Sequence, residues 1–514
     1  MVVEPTGFAK WLMIGTLLLA GFTYSVNAKG TVLESNIIIQ EFALDHYRVQ
    51  WITGPEGVLG LSAFFMSIYL MKLFGARRVF IAGAVLLTGG CLLVSTSQSV
   101  LQGGVGGVIR NLGGIYMIPT LTMFQRLTPG RQRITYCLFL TMVYAGQVVA
   151  EPIGALIAFH PSWRALFVAL AVSGVLLLLV AFFLFPDDRP ECGPTHAFDF
   201  AGAALFMAGL ALILFLLYRG DYLGWWTSNA VWGAAIALAL VIALFVWREL
   251  TAPEPYLPFG AFAYQTIAIT MLASGFWCGS LYGVALLLPD CLMALGFDHW
   301  KTGWVMMPMG LTVLGAMLLG VTVWRRHHYV WLLRAGLAGM TVFGLALAQV
   351  NLFATWQWLL VLSLLWGLCG GLCLAPIAQL TFEGQRAEAA AATGAMKFLV
   401  RSFSSIVGVL VAAIVLDRAT AGGLEYVRAS VVQGQGTLQT VQPVLQRHFV
   451  HQGSAPAKAG TQSAALLGWW VEQHAVVIGY RSAFRFCAYL SGVGLVISFF
   501  ISRRKEISVF DADR

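Results

Sequence analysis

This 514-residue chain is short of charge, with Asp, Glu, Lys and Arg together making up 11% of it. Soluble domains carry about a quarter, so a chain this poor in charge cannot cover a water-facing surface of its length. A nucleotide loop is absent too. The glycine-rich runs at 103–107 and 113–114 have neither a preceding strand nor a following Lys-Ser/Thr, which a phosphate cradle needs. Close helix packing through small residues is the better reading of those runs. No ATP site is therefore expected, and energy should come from an ion gradient. Metal-ligand spacing is missing as well: Cys369 and Cys373 lie four apart in an apolar run with no His or carboxylate beside them. They read as small packing residues, and neither a metal nor another cofactor is expected. A cleavable leader is only loosely imitated by residues 12–21 and Val26-Asn27-Ala28. The preceding segment holds Glu4 and just one cation, Lys10, and Lys29 follows at once, so this stretch reads as a permanent first span.

What the chain does have is hydrophobic sequence, 59% of it, with a mean hydropathy of +0.79. Apolar runs place spans near 11–33, 49–71, 79–97, 101–125, 134–158, 163–185, 200–218, 229–247, 266–289, 302–323, 330–350, 356–380, 392–416 and 482–502. Each is long enough to cross about 30 Å of hydrocarbon. Each must be helical, because lipid leaves no partner for open backbone groups. The expected fold is an all-α polytopic membrane protein of fourteen spans, with one long loop at 417–480. The net charge of +8 does not point to nucleic acid, because the cations concentrate in alternate short loops. Seventeen of the 31 Lys and Arg fall on one side, while the short loops opposite hold only Arg48, Arg164, Arg219 and Lys301. The positive-inside rule makes the first side cytoplasmic, places both termini there and puts 417–480 outside.

The chain also repeats itself. Gly113-Gly114 followed by Pro119 returns as Gly370-Gly371 followed by Pro376, and Arg77-Arg78 returns as Arg325-Arg326, at offsets of 257 and 248 residues. Two homologous halves are a common plan of secondary transporters.

These residues resemble those of a known family. Gly75-Ala76-Arg77-Arg78-Val79-Phe80 is similar to the end of the major facilitator loop motif. Arg110 with Gly113, Gly114 and Pro119 resembles that superfamily's fourth-span motif. Pro152 and Gly154, then Ser162-Trp163-Arg164, resemble its antiporter motif and the turn that follows. Phe198-Asp199-Phe200, Gly224-Trp225, the stretch from Trp247-Arg248-Glu249 to Pro255, Gly303 to Pro308, and Glu472-Gln473-His474-Ala475 resemble the fourteen-span drug:proton antiporters of the EmrB/QacA type. The resemblance implies two six-helix halves, 1–190 and 251–514, separated by two additional helices within 191–250. Several positions depart from that family. Ile68 and Lys72 stand where the loop motif has Gly and Asp, and Lys29 with Thr31 stands where the first span has Asp and Thr. Glu151 replaces the Gly before Pro152, and the stretch from Arg110 to Pro119 is about three residues short. The family's proton and substrate sites therefore cannot be carried over.

Ionisable residues inside the bilayer are costly, by at least about 2.5 kcal/mol each, and need a partner or a wet cavity. At about 1.5 Å per residue, Lys29, Glu56 and Glu151 fall in the outer half of the membrane and Arg110 near its middle. Together they sum to zero charge. They form either a static ion-pair cluster or a proton-exchange network with Glu151 or Glu56 as carrier and Lys29 and Arg110 tuning it. Lys397 and Arg401, four apart, share a helix face. Lys397 is placed to snorkel toward the cytoplasmic interface, and the deeper Arg401 could meet an anionic group of a substrate.

The expected function is proton-coupled export of amphipathic small molecules, of multidrug type, across a bacterial inner membrane, with a periplasmic adaptor as a further partner. The alternative is an exporter dedicated to one endogenous compound, such as a siderophore or organic anion. A membrane-embedded transferase using His448, His451, Glu472 or His474 is more remote, since no nucleophile or paired-carboxylate arrangement accompanies them.

Overall fold

The structure is a computed structural model that describes residues 7–41, 58–60, 62–63, 66–127, 138–139, 141–146, 150, 163–186, 199–220, 222–252, 256–257, 265–322, 328–381, 387–433 and 435–501. Within helices, the side chains at 29–41, 125, 299–300, 320–322, 387–392, 395, 431–433 and 435–440 also fall outside the described set. The helices are α1 Phe8–Glu41, α2 Ala76–Ser95, α3 Val100–Leu112, a 3-10 turn Gly113–Tyr116, α4 Met117–Leu127, α5 Arg164–Leu184, α6 Phe200–Arg219 and α7 Asn229–Thr251. They continue with α8 Gln265–Ala294, α9 His299–Thr322, α10 Tyr329–Leu347, α11 Trp356–Thr381, α12 Ala387–Gln433, α13 Gln435–His451 and α14 Pro456–Ser498. Helical residues also occur between 58 and 74. No strand occurs among the described residues, as expected for an all-α membrane fold. Ten of the described helices are long and apolar enough to cross a membrane. Of the other expected spans, 101–125 is α3 and α4 joined through the 3-10 turn, and 482–502 is largely the end of α14. The stretches 49–71 and 134–158 lie largely or partly outside the described residues.

The segment 417–480 differs from its expected form. It is not a loop: α12 runs on to Gln433, α13 follows, and α14 begins at Pro456. At about 1.5 Å per residue, α12 and α14 measure about 70 and 64 Å, twice the hydrocarbon thickness. Their extensions stay helical because they lie against each other. A side chain at Gly423 would touch Ile478 at 3.2 Å, and one at Gly479 would touch Leu416 O at 3.0 Å. The Gly, Gln and Ser in this segment read as loop composition, but here the small residues permit close pairing of helices.

Glycine also sets the seam that positions the centre of the molecule. Gly275, Gly279 and Gly283 recur every fourth residue on α8, a small-residue spacing that lets helices approach closely. A Cβ at Gly275 would lie 2.7 Å from Ser404 Oγ, one at Gly408 would lie 2.8 Å from Gly279 O, and one at Gly283 would lie 3.7 Å from Ala412 Cβ. The constant register shows that α8 and α12 run parallel. In the first half, Gly83 and Gly113 bring α2 against the 3-10 turn, with Tyr116 Cβ and Leu87 N each 2.8 Å from a would-be Cβ. The repeated Gly pairs thus both serve close packing, but Gly113-Gly114 tightens into a 3-10 turn whereas Gly370-Gly371 stays α-helical.

The pair α6–α7 sits at the periphery, with only 17% and 6% of its spanning windows buried. Asp199 caps α6 by accepting from Gly202 N at 3.0 Å and pairs with Arg248 Nε at 2.9 Å. Glu249 accepts from Leu257 N at 3.3 Å, and Tyr256 Oη donates to Ser62 O at 3.2 Å. These contacts tie the hairpin's ends together and to the first half. Between the hairpin and α12 runs an apolar groove of about 270 Å³ lined by Phe206, Ile213, Phe245, Leu399 and Phe403. Asp199→Ala is expected to lower stability by about 0.5–2 kcal/mol, the usual cost of a lost N-cap. Asp199→Asn, which keeps the cap and loses the charge, should recover most of it. Thermal melts in detergent read both, and an Asp199→Ala melt at the wild-type temperature would dismiss the cap.

Candidate functional site

The seam of α8 and α12 holds Arg401 one turn before Ser404, facing a narrow cavity where the two halves meet. Tyr144 comes from the first half, and Ser274, Trp277, Cys278, Leu374, Ile377, Lys397, Phe398 and Arg401 come from the second. The free volume is about 20 Å³, room for about one water. Arg401 is 8% exposed. Its Nη2 donates to Tyr282 Oη at 2.6 Å, and its Cζ lies 4.5 Å from the Tyr144 ring centroid and 5.5 Å from that of Phe398. Nη1 is buried without a hydrogen-bond partner. Tyr24 of α1 packs edge-on against Phe398 at 6.0 Å, and Tyr144 meets Trp277 at 6.3 Å. Trp277 is pinned by its indole N–H, which donates to Gly370 O at 3.1 Å. The result is an aromatic-walled chamber with cations on one face.

Lys397 overturns its expected snorkelling. It is 6% exposed and lines the same cavity as Arg401. The helix starts at Ala387, about 15 Å before Lys397 at 1.5 Å per residue, and the shared face points inward toward Trp277. Arg110, fully buried on α3, lies elsewhere: its Cζ sits 4.9 Å from the Phe167 ring centroid of α5, and Gly90 of α2 closes against its backbone. Glu56, Glu151, Pro152, Gly154 and the Lys29 side chain lie outside the described residues.

The loop motif serves the first half. Gly75 takes φ +83°, a left-handed conformation suited to glycine, at the break before α2. Arg77 then donates from Nε to Ala181 O at 3.3 Å and from Nη2 to Phe182 O at 2.6 Å. Both carbonyls belong to the last four of α5, which have no acceptor role within their own helix. Lys72 and Arg78 are exposed. Gly114 and Pro119 are buried beside Gly113 in the fourth-span motif. Lys72→Ala is expected to change transport by less than about twofold, because an exposed Lys replaces the acid that braces the family's gating states. A tenfold loss would show that Lys72 has acquired its own partner.

Tyr24, Tyr144, Trp277, Tyr282 and Phe398 were not legible as site residues. They are a few among 66 aromatics, and no spacing marks them out.

The sequence model of the Major Facilitator Superfamily matches residues 12–409. The chain belongs to the major facilitator superfamily. That family is one of membrane transporters, and the multi-pass helical architecture agrees with it. Among curated relatives, the MFS-type transporter YhcA of Bacillus subtilis is 26% identical over 284 residues, 54% of this chain and 52% of that protein. The chain thus spans about half of YhcA's length. MdtD of Cronobacter sakazakii, whose name proposes multidrug resistance, is 26% identical over 68% of this chain and 74% of its own. The multidrug resistance protein Stp of Mycobacterium tuberculosis is 25% identical over 74% and 71%. Among solved structures, the proton:xylose symporter XylE superposes with a TM-score of 0.59 at 11% identity, covering 98% of each chain. The human organic anion transporter MFSD10 does so at 0.57 and 12%, covering 95% and 99%. At such identities these two share the fold alone.

Proposed function

We propose that this protein is a proton-coupled exporter of amphipathic small molecules, of multidrug type, in a bacterial inner membrane. The carrying observation is the aromatic chamber formed by residues of both halves, with Tyr144 opposite Trp277, Lys397 and Arg401. Small-molecule sites favour apolar, aromatic walls with a few polar groups that fix orientation. At about 20 Å³ the chamber admits no substrate in this conformation. Rocking of one half against the other opens it to each side in turn. In this reading fourteen spans divide into halves 1–190 and 251–514 with an added pair at 191–250, both termini are cytoplasmic, and the helical 417–480 segment is external. A periplasmic adaptor could dock there. Proton movement is assigned to Glu151, with Glu56 second, and Lys29 and Arg110 tune them. The relatives named for multidrug resistance support the substrate class. Everted vesicles carrying the protein should accumulate dyes only while a proton gradient is maintained. Accumulation that is indifferent to the gradient would sink proton coupling, and none with any substrate would sink export.

A further inference from the structure

We infer that the central chamber selects organic anions with a flat aromatic body and rejects lipophilic cations, Arg401 being the anion-binding residue. This rests on the chamber being the transport site. Arg401 carries a permanent charge and is more than nine-tenths buried. Its described partners are a neutral phenol at 2.6 Å and aromatic rings. No carboxylate reaches it among the described residues, and Nη1 is buried with no acceptor. Burying an ion without a counter-charge costs several kcal/mol even after relaxation. A second cation, Lys397, lines the same small cavity one turn away, and two like charges repel. The Arg401 guanidinium therefore lacks an acceptor on its Nη1 side, and an incoming carboxylate, sulfonate or phosphate supplies one. Such a group gives Nη1 a short charge-assisted acceptor of the kind a guanidinium fork binds best. A cation entering the same space meets the charge of Arg401, which no carboxylate offsets among the described residues. The walls complete the selection. Tyr144, Trp277 and Phe398 present ring faces and edges to whatever body the anion carries, and flat aromatic ligands stack on such surfaces.

The test uses full-length protein in nanodiscs and three probes of one shape: 2-naphthoate, 2-naphthamide and a naphthyl-trimethylammonium. Calorimetric titration should show naphthoate binding at least tenfold tighter than the other two, and naphthoate alone should raise the melting temperature. Arg401→Gln should abolish that preference, weakening naphthoate at least tenfold more than it weakens naphthamide. Should Arg401→Gln fail to fold, Cys278→Asp supplies a carboxylate from the cavity wall itself. It should lose naphthoate and gain the ammonium probe. Equal binding of all three probes to wild type, no naphthoate binding at all, or a preference that survives Arg401→Gln would each overturn the inference. The two readings fail separately. A cationic dye exported by wild type as readily as an anionic one would leave export standing without anion selection. Normal naphthoate binding with no efflux of any compound would leave the anion site standing without export.

Discussion

Gly408→Leu is expected to yield no folded, monodisperse protein. A Cβ at this position would press on the Cα of Gly279 and come within 2.8 Å of its carbonyl oxygen. Backbone cannot rotate away as a side chain can, so α8 and α12 would have to separate. That separation would dismantle the seam that sets Arg401 beside Tyr282 and Trp277. Gly408→Ala poses a milder form of the same problem, with overpacking of the order of 1–3 kcal/mol. Gly275→Ala, one turn away on the same seam, should cost less, because it meets Ser404 Oγ at 2.7 Å and a hydroxyl can turn. Size-exclusion profiles and melting temperatures in detergent would rank the three. A Gly408→Leu protein that is monodisperse and melts with wild type would dismiss the seam.

The second large effect is functional. Glu151→Gln should abolish substrate-induced proton release while leaving substrate binding largely intact. Glu151 precedes Pro152, and in the helix the sequence leads one to expect there, the proline ring would remove a backbone hydrogen bond. Such a break leaves room for water and for a carboxylate to change partners as the halves rock. The acid also stands where the family has a small glycine, so an idle carboxylate there would carry both a steric and a desolvation cost. On the sequence reading Glu56, beside Pro55 and expected nearer the outer surface, would be the static partner of Lys29, so Glu56→Gln should chiefly lower stability. Proton release measured from purified protein, alongside binding, separates the two. Normal release from Glu151→Gln would end its candidacy, and normal release from both variants would leave proton coupling without a residue.

Much of the architecture was legible in the chain before any contact was known. Span positions followed from runs of apolar residues, because the free energy of crossing lipid is a local sum over about twenty side chains. The internal repeat pointed to paired halves, and the marked Gly pairs do pack where helices cross. The site was legible only in its charges. Arg401 stood out because an intramembrane cation is expensive wherever it lies, so its presence alone was informative. Its surroundings were not. Lys397 was misread because its depth was measured from an assumed span start rather than from a helix that begins at Ala387. The helical 417–480 segment was misread because Gly, Gln and Ser favour loops in isolation, and only pairing of α12 with α14 reverses that preference.

The sequence by itself determined that this chain is a polytopic helical membrane protein, because each span must satisfy its own backbone in lipid whatever its neighbours are. Membership of a transporter family followed from short motifs in fixed order. Tertiary structure alone decided which aromatic rings enclose Arg401, since Tyr282 lies 119 residues away in the chain and Tyr144 comes from the other half. It likewise decided that Lys397 faces inward. Orientation about a helix axis is set by what the helix packs against, and on α12 that is the glycine-spaced face of α8.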